Sequence, residues 1–492
     1  MGLKEKSING FIWSFTGSIG SGAINFIITI ILARILGAYE FGLLEILLVF
    51  TSISTVFVDS GFSQAIIRDK QPTQTDLSSV FYVNILIAAL IYFILFISAP
   101  LIADFFNSKE LISLARFVFL IIIFDSFSLV QNANLNRQLI FKPYAIASIV
   151  AIVLSGICSI IIAYKGGGIW ALAFNVVFIS FVRSCLLWFQ VQWKPSLVID
   201  LLSVRKYWKF SVNLLLQGLL DKVISNLESI VIGRVHTKQA LGYFSQARKF
   251  NAYINQTTTN VIKKVTYPSL AKIENETERL KKAYTRVIGT TMFCIVPIAL
   301  FTIVSSENLI VFVFGEKWLS SALYLKLWAI WGMLYPISSI CSNIFLVKGK
   351  SKLLLKLSTI KQFLRIVVII SLVSIGITPM LIGIITVAFI STIIYCYFGG
   401  KLIAYNLWEM LYDLRKTLLN SIVSTLIVYV ISVNLLGNNY CFDFILQCVI
   451  MGISYVILSS YLFRNIYFFE LLEIINPILN KIINVKKFFK SN

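Results

Sequence analysis

Apolar runs of about 20 residues recur from one end of the chain to the other, and this repetition restricts the fold more than any other feature. Inside a bilayer every backbone N–H and C=O must be satisfied by the chain itself, so only helices and closed barrels can cross. Barrel strands are short and alternate apolar with polar residues. These runs are long and continuous, which predicts an all-α polytopic membrane protein. Fourteen spans are expected: 8–31, 41–58, 79–101, 111–131, 144–164, 169–191, 210–233, 240–262, 287–306, 322–346, 357–376, 379–400, 417–436 and 442–463. Only 13% of the 492 residues are charged, about half the share of a soluble protein.

Residues 1–7 (MGLKEKS) lead into the first run without a short apolar region and cleavage site, so that run is expected to remain as a signal anchor. Lys6 occupies the position where a myristoylation pattern needs Ser or Thr. With the N-terminus inside, the outer connections carry only Arg34, Lys109, Lys165, Arg234, Lys238 and Lys317. Most other basic residues fall on the inner side, which places both termini in the cytoplasm by the positive-inside rule. The net charge of +21 is thus a topology signal spread over many inner segments, not a nucleic-acid-binding patch. Its expected consequence is attraction to anionic inner-leaflet lipids. The tail 464–490 reads as an amphipathic interfacial helix, and VRKYWKF (204–210) as a similar segment anchored by Tyr207 and Trp208.

The seven cysteines are scattered through apolar runs without a CxxC, so no disulfide framework is expected. His236 is the one histidine and has no carboxylate cluster near it, which argues against a metal site; no cofactor is expected.

An internal repeat is visible at an offset of 200. ILARILGAYEFG (31–42) matches VIGRVHTKQALG (231–242), pairing Arg34 with Arg234 and Gly42 with Gly242. The offset lays span 7 on span 1. Six spans per half is an even number, so the halves enter the membrane in the same direction, a parallel repeat of transporter type. The expected organisation is an N-terminal lobe at 1–200, a C-terminal lobe at 201–403, two added helices at 404–463 and a cytoplasmic amphipathic tail at 464–492.

Charges inside the spans are costly, roughly 2.5–3.5 kcal/mol each on insertion scales, and so point to protein-facing or hydrated positions. The stretch GLLDKVISNLESIVIGR (218–234) carries Asp221, Lys222 and Glu228. Arg248 and Lys249 lie on span 8, Lys361 and Arg365 on span 11, and Arg183 on span 6. One reading is mutual pairing for structure; the other is a basic cavity for an anion, with Arg suited to phosphate by its planar fork. The substrate-binding candidates are Lys222, Arg248, Lys249, Lys361, Arg365 and Arg183. Asp221, Glu228 and Asp59 are candidates for an ion-coupling role. On span 1, Ser14, Ser18, Ser21 and Asn25 share one stripe, as a packing face or a cavity lining. For Arg116, Glu45 and Lys326, near span ends, snorkelling is the expected explanation.

Several segments carry a resemblance: ILARILGAYEFGLL (31–44), DSGFSQAIIRDKQPTQTDLSSVFYVN (59–84), LNRQLIFKPYAIASIVA (135–151), LGYFSQARKF (241–250) and FGEKW (314–318). Together they resemble the polysaccharide transporter family, the Wzx-type oligosaccharide-lipid flippases of the multidrug/oligosaccharidyl-lipid/polysaccharide exporter superfamily. The resemblance implies two six-helix lobes in a V around a central cavity, plus two extra helices. It implies an undecaprenyl-pyrophosphate-linked oligosaccharide as substrate, moved from the inner to the outer leaflet of the bacterial inner membrane by alternating access. O-antigen, capsule or exopolysaccharide assembly follows, with a polymerase and a chain-length regulator as partners, and no catalysis. A lipid II flippase or a multidrug antiporter of the same superfamily fits the same fold, although a cation exporter calls for an acidic cavity. A membrane glycosyltransferase or polymerase would need a larger outer loop than the one expected at about 307–321.

Overall fold

The computed structural model describes residues 3–253, 273–435 and 439–473, and these are helical with no strand among them. The chain forms two compact units, Met1–Ser245 and Gln246–Asn492. The first holds α1 (Leu3–Ile35), α2 (Ala38–Asp59), α3 (Phe62–Arg68), α4 (Gln74–Phe105), α5 (Leu111–Val118), α6 (Leu120–Arg137), α7 (Lys142–Tyr164), α8 (Ile169–Gln190) and α9 (Leu201–Val235). Helix α10 (238–253) begins in the first unit and runs into the second. The second continues with α11 (Thr277–Phe314), α12 (Ser321–Val347), α13 (Ser351–Leu372), α14 (Ile377–Lys401), α15 (Leu407–Leu435) and α16 (Tyr440–Ile457), which ends in a π-helical turn at Leu458–Leu462. A last helix, α17, covers 466–473.

Eleven helices among the described residues are long and apolar enough to cross a membrane, and the chain is a multi-pass membrane protein. The expected fourteen is not reached on those terms, for a physical reason. The three remaining spans are α9, α10 and α13. Helices α9 and α13 are long enough, but they carry charges: Asp221, Lys222 and Glu228 on α9, Lys361 and Arg365 on α13. The span expected at 240–262 continues beyond residue 253, outside the described residues. The span at 111–131 is also two helices, α5 and α6, that meet at Phe119.

In the first unit α1 packs along α7. A Cβ on Gly17 would lie 2.5 Å from Ala145 Cβ, so the glycine sets how closely these helices approach. Around α3 an apolar core forms from Phe62, Ile66, Leu77, Val80, Phe81, Val130 and Tyr207. The segment 204–210 does not lie apart as an interfacial helix. It is the opening turns of α9, and of its two expected anchors Tyr207 is buried in this core while Trp208 stays exposed. Burial forces the Tyr207 hydroxyl to find a partner, and it donates to Asp69 at 2.8 Å. Lys206 adds ion pairs to Asp69 at 2.7 Å and Asp76 at 3.0 Å. Asp200 caps α9 by accepting from the backbone of Leu202 and Ser203. The result is a polar latch that ties the start of α9 to α4.

The Lys206 hydrogen bond, with help from Tyr207, holds the Asp69 carboxyl down at about 2, against an ordinary 3.8. A depressed carboxylate pKa contributes stability above the unfolded value that is lost as pH falls through the folded one. Lys206→Met is therefore expected to lower the melting temperature at neutral pH. The fall is about 2–4 °C, for about 1 kcal/mol discounted for the half-exposed lysine. It should also flatten the acid-induced decline between pH 4 and 2. A thermal melt series over that range checks both.

The second unit is built on α11, which packs against α12, α15 and α16. Its core includes Tyr284, Met292, Ile344, Phe345, Tyr395 and Leu414. Tyr284 donates to Cys341 Sγ at 3.0 Å within it. Helix α13 is the exception, since Ile369 is its one buried residue. The first part of the expected interfacial tail is docked on protein: Tyr467 on α17 packs its ring against Gly289 of α11, and Glu470 pairs with Arg286 at 3.1 Å. Residues 474–492 lie outside the described residues.

Candidate functional site

The seam between α2 and α9 organises the first unit. The helices run antiparallel, and glycines let them close up at several levels. Gly218 faces Val56, and Gly233 faces Ile46. At the far end the two copies of the repeated segment meet. A Cβ on Gly42 would overlap the carbonyl oxygen of Lys238, and a Cβ on Gly242 would overlap that of Ala38. These two contacts are related by the 200-residue offset.

Polar groups are threaded along the same seam. Asn226 donates to Ser52 Oγ at 3.0 Å. Ser229 donates to Glu45 Oε1 at 3.2 Å. Glu45 is thus not a snorkelling residue near a span end: it is 4% exposed, fixed between two helices. Glu228 beside it is fully buried. Asp221, two turns earlier on α9, is exposed, so the two acids that share a helical face occupy different surroundings.

The difference is a pocket of about 700 Å³ that opens at the level of Asp221. It is lined from α2, α3, α6 and α9. Three carboxylates face it, Asp59, Asp125 and Asp221, together with the carboxamides of Gln64, Asn132, Asn136 and Gln217. Helical spacing explains the convergence: Gln217 and Asp221 are one turn apart on α9, and Asn132 and Asn136 one turn apart on α6. Asp59 also accepts from the backbone N–H of Ser63 at 3.0 Å. Asp125 is held at 2.7 Å by Arg183 from α8, and the Arg183 guanidinium lies 6.0 Å from the Tyr144 ring. A wall of carboxylates and carboxamides can accept and donate hydrogen bonds to a polyol, and can attract a cation.

Two of the expected ion-coupling residues, Asp59 and Asp221, therefore come together here, and Glu228 lies apart in the packed seam. Asp125 and the four carboxamides complete the lining. The sequence signal for Asn132 and Asn136 was the polar run QNANLN (131–136) at the end of a largely apolar helix.

The expected cationic set is divided between the units. Lys222 is exposed on α9, next to Asp221 but outside the pocket lining. Arg183 belongs to the ion pair just described. In the second unit Arg248 and Lys249 are half-buried on α10, and Lys361 and Arg365 half-buried one turn apart on α13. Lys361 Nζ lies 5.7 Å from the Tyr395 ring. On α1, Ser14, Ser21 and Asn25 are half-buried and Ser18 is exposed, beside the Gly17 seam with α7.

Comparison with known proteins agrees with this architecture. The chain is 24% identical over 372 residues to the lipopolysaccharide biosynthesis protein WzxC of Escherichia coli, covering 74% of this chain and 75% of WzxC. Its fold is similar to that of the lipid II flippase MurJ in an inward closed conformation. There the TM-score is 0.72 at 18% identity, over 92% of this chain and 99% of MurJ. A multidrug resistance MATE family transporter of the MOP superfamily, in an inward-facing conformation, matches with a TM-score of 0.57 at 15% identity, over 78% of this chain and 94% of that one. The family model described as "Polysaccharide biosynthesis protein" matches residues 31–323, more than half of the chain, and the protein, a multi-pass membrane protein with a MurJ- and MATE-like helical fold, accordingly belongs to this polysaccharide biosynthesis family.

Proposed function

We propose that the protein is a flippase that carries undecaprenyl-pyrophosphate-linked oligosaccharide repeat units across the bacterial inner membrane by alternating access. Both termini lie in the cytoplasm in this reading, and the product enters O-antigen, capsule or exopolysaccharide assembly. The observation that carries it is the pocket of Asp59, Asp125 and Asp221 with its carboxamides. Such a lining suits sugar hydroxyls, which must be desolvated to pass the membrane and then need replacement hydrogen bonds. The pyrophosphate needs cations instead. Arg248, Lys249, Lys361 and Arg365 supply them in this reading, with Lys222 as a further contributor and Arg183 keeping Asp125 oriented. Asp221 and Asp59 also remain the groups proposed to carry a coupling ion. Neutralising Arg248 or Arg365 is expected to abolish surface glycan while the protein still inserts.

One observation favours a second reading, a multidrug antiporter: the pocket lining includes three carboxylates and no basic residue. The two readings separate in reconstituted vesicles. Full-length protein should move a fluorescent undecaprenyl-pyrophosphate oligosaccharide between leaflets, scored by its exposure to an external lectin. Asp59→Asn combined with Asp221→Asn should slow this by at least about tenfold, the scale of two or more lost charge-assisted hydrogen bonds. Absence of lipid movement, with uptake of a cationic dye that the same double substitution abolishes, would replace the flippase by the antiporter.

A further inference from the structure

A second and larger cavity, of about 1170 Å³, lies in the other unit between the start of α11, the start of α15 and the segment 464–470. It has no part in the transport reading above. Six cations and four carboxylates line it. Ion pairing neutralises two of the acids: Lys281 holds Glu409 at 2.7 Å and Arg286 holds Glu470 at 3.1 Å; Asp413 accepts from the neutral Tyr405 hydroxyl at 2.7 Å and keeps its charge. Lys282, Arg415, Lys416 and Arg464 make no ion pair among the described residues, and these four cations face two remaining acids, Glu278 and Asp413. The cavity is therefore built around surplus positive charge.

Its rim is aromatic. Trp408 is 82% exposed and Tyr412 64% exposed, one turn apart at the start of a membrane-spanning helix. Aromatic rings in that position are typical of the lipid headgroup level. The Arg415 guanidinium stacks on the Tyr412 ring at 3.2 Å, which fixes it toward the same rim. From there the helical repeat continues down one stripe of α15 through Leu419, Ile422, Leu426 and Val433, each at least 44% exposed. A cationic cavity thus opens at the head of an uncovered apolar lane.

We infer that this cavity holds the headgroup of an anionic glycerophospholipid, its phosphate among Lys282, Arg415, Lys416 and Arg464 and an acyl chain laid along the exposed stripe of α15. A free anion would use the cations but not the lane. A zwitterionic phospholipid would use the lane, but its ammonium would meet the surplus positive charge. Each basic residue near such a headgroup strengthens binding, so removing two is expected to weaken it by about tenfold or more.

The test uses the purified full chain in detergent and counts bound lipid by native mass spectrometry. Phosphatidylglycerol, phosphatidylcholine, undecaprenyl phosphate and inorganic phosphate are supplied separately at equal concentration. Phosphatidylglycerol should be retained at least about tenfold better than phosphatidylcholine and inorganic phosphate; undecaprenyl phosphate is expected at the transport site, so its retention should not change in the Lys416/Arg464 variant. Lys416→Ala with Arg464→Ala should remove that preference, and Trp408→Ala should weaken it. Lys350→Ala with Lys352→Ala, which removes two basic residues outside the cavity lining, should leave it intact. Equal retention of phosphatidylglycerol by the Lys416/Arg464 variant, or equal binding of phosphatidylcholine, would overturn the assignment. Undecaprenyl phosphate retention that the Lys416/Arg464 variant loses would give the cavity to a polyprenyl lipid, and inorganic phosphate binding that the same variant loses would make it a soluble-anion site; either result also overturns it.

Discussion

Gly42→Ala and Gly242→Ala are each expected to destabilise the protein strongly, and by similar amounts. The added methyl would collide with a backbone carbonyl, of Lys238 in one case and Ala38 in the other. A flexible side chain could swing away, but a carbonyl at a helix start moves only with its helix. Overpacking of this kind costs about 1–3 kcal/mol or more, equivalent to a fall of roughly 2–12 °C in melting temperature for a domain of this size. Gly22→Ala and Gly452→Ala provide the comparison, because a Cβ at either position meets nothing within 4 Å. Those two should be neutral or slightly stabilising, since alanine is the better helix former by about 0.5–1 kcal/mol. Melting curves that rank Gly42→Ala with Gly22→Ala would show that α2 and α10 are not in close backbone contact.

The Arg183–Asp125 pair supports a second large effect. Arg183→Met leaves Asp125 on the pocket wall without its 2.7 Å partner. Breaking a buried pair costs about 3–5 kcal/mol. Both side chains keep some exposure, 22% and 28%, so solvent screening reduces the expectation to about 1–3 kcal/mol. The double substitution Arg183→Met with Asp125→Leu should recover most of this loss, because no uncompensated charge remains. In the flippase assay the double variant should still be impaired, having lost a hydrogen-bonding carboxylate from the pocket. Recovery of stability together with full transport would remove Asp125 from the site.

Much of the fold was legible because hydrocarbon solvent leaves a chain few options. Continuous apolar runs have to be helices, and the expected span at 144–164 lies within Lys142–Tyr164, as that at 379–400 lies within Ile377–Lys401. Helix ends were less legible. The stretch VRKYWKF looked like an interfacial segment by composition, yet Tyr207 is drawn into the core by Asp69, which lies over a hundred residues away in sequence. Glu45 failed for the same reason. Its distance from the span end suggested a side chain reaching for water, and only the packing of α9 against α2 shows that it is buried beside Ser229. Candidate site residues divide along similar lines. The charges themselves could be read from the sequence. Which of them share a cavity depends on how helices cross: Asp59 and Asp221 converge with Asp125, whereas Glu228, on the same face as Asp221, is enclosed.

The contacts at Gly42 and Gly242 have a further meaning. Residue 42 touches 238, and residue 242 touches 38, so each partner returns the other's contact with the roles exchanged. That reciprocity defines an isologous interface, the kind formed when two identical subunits meet across a dyad. Here both sides belong to one polypeptide. A half-length chain bearing a single copy of the segment would satisfy the same geometry by pairing with another molecule of itself, which makes a homodimeric forerunner, fused after gene duplication, the simplest origin for this contact.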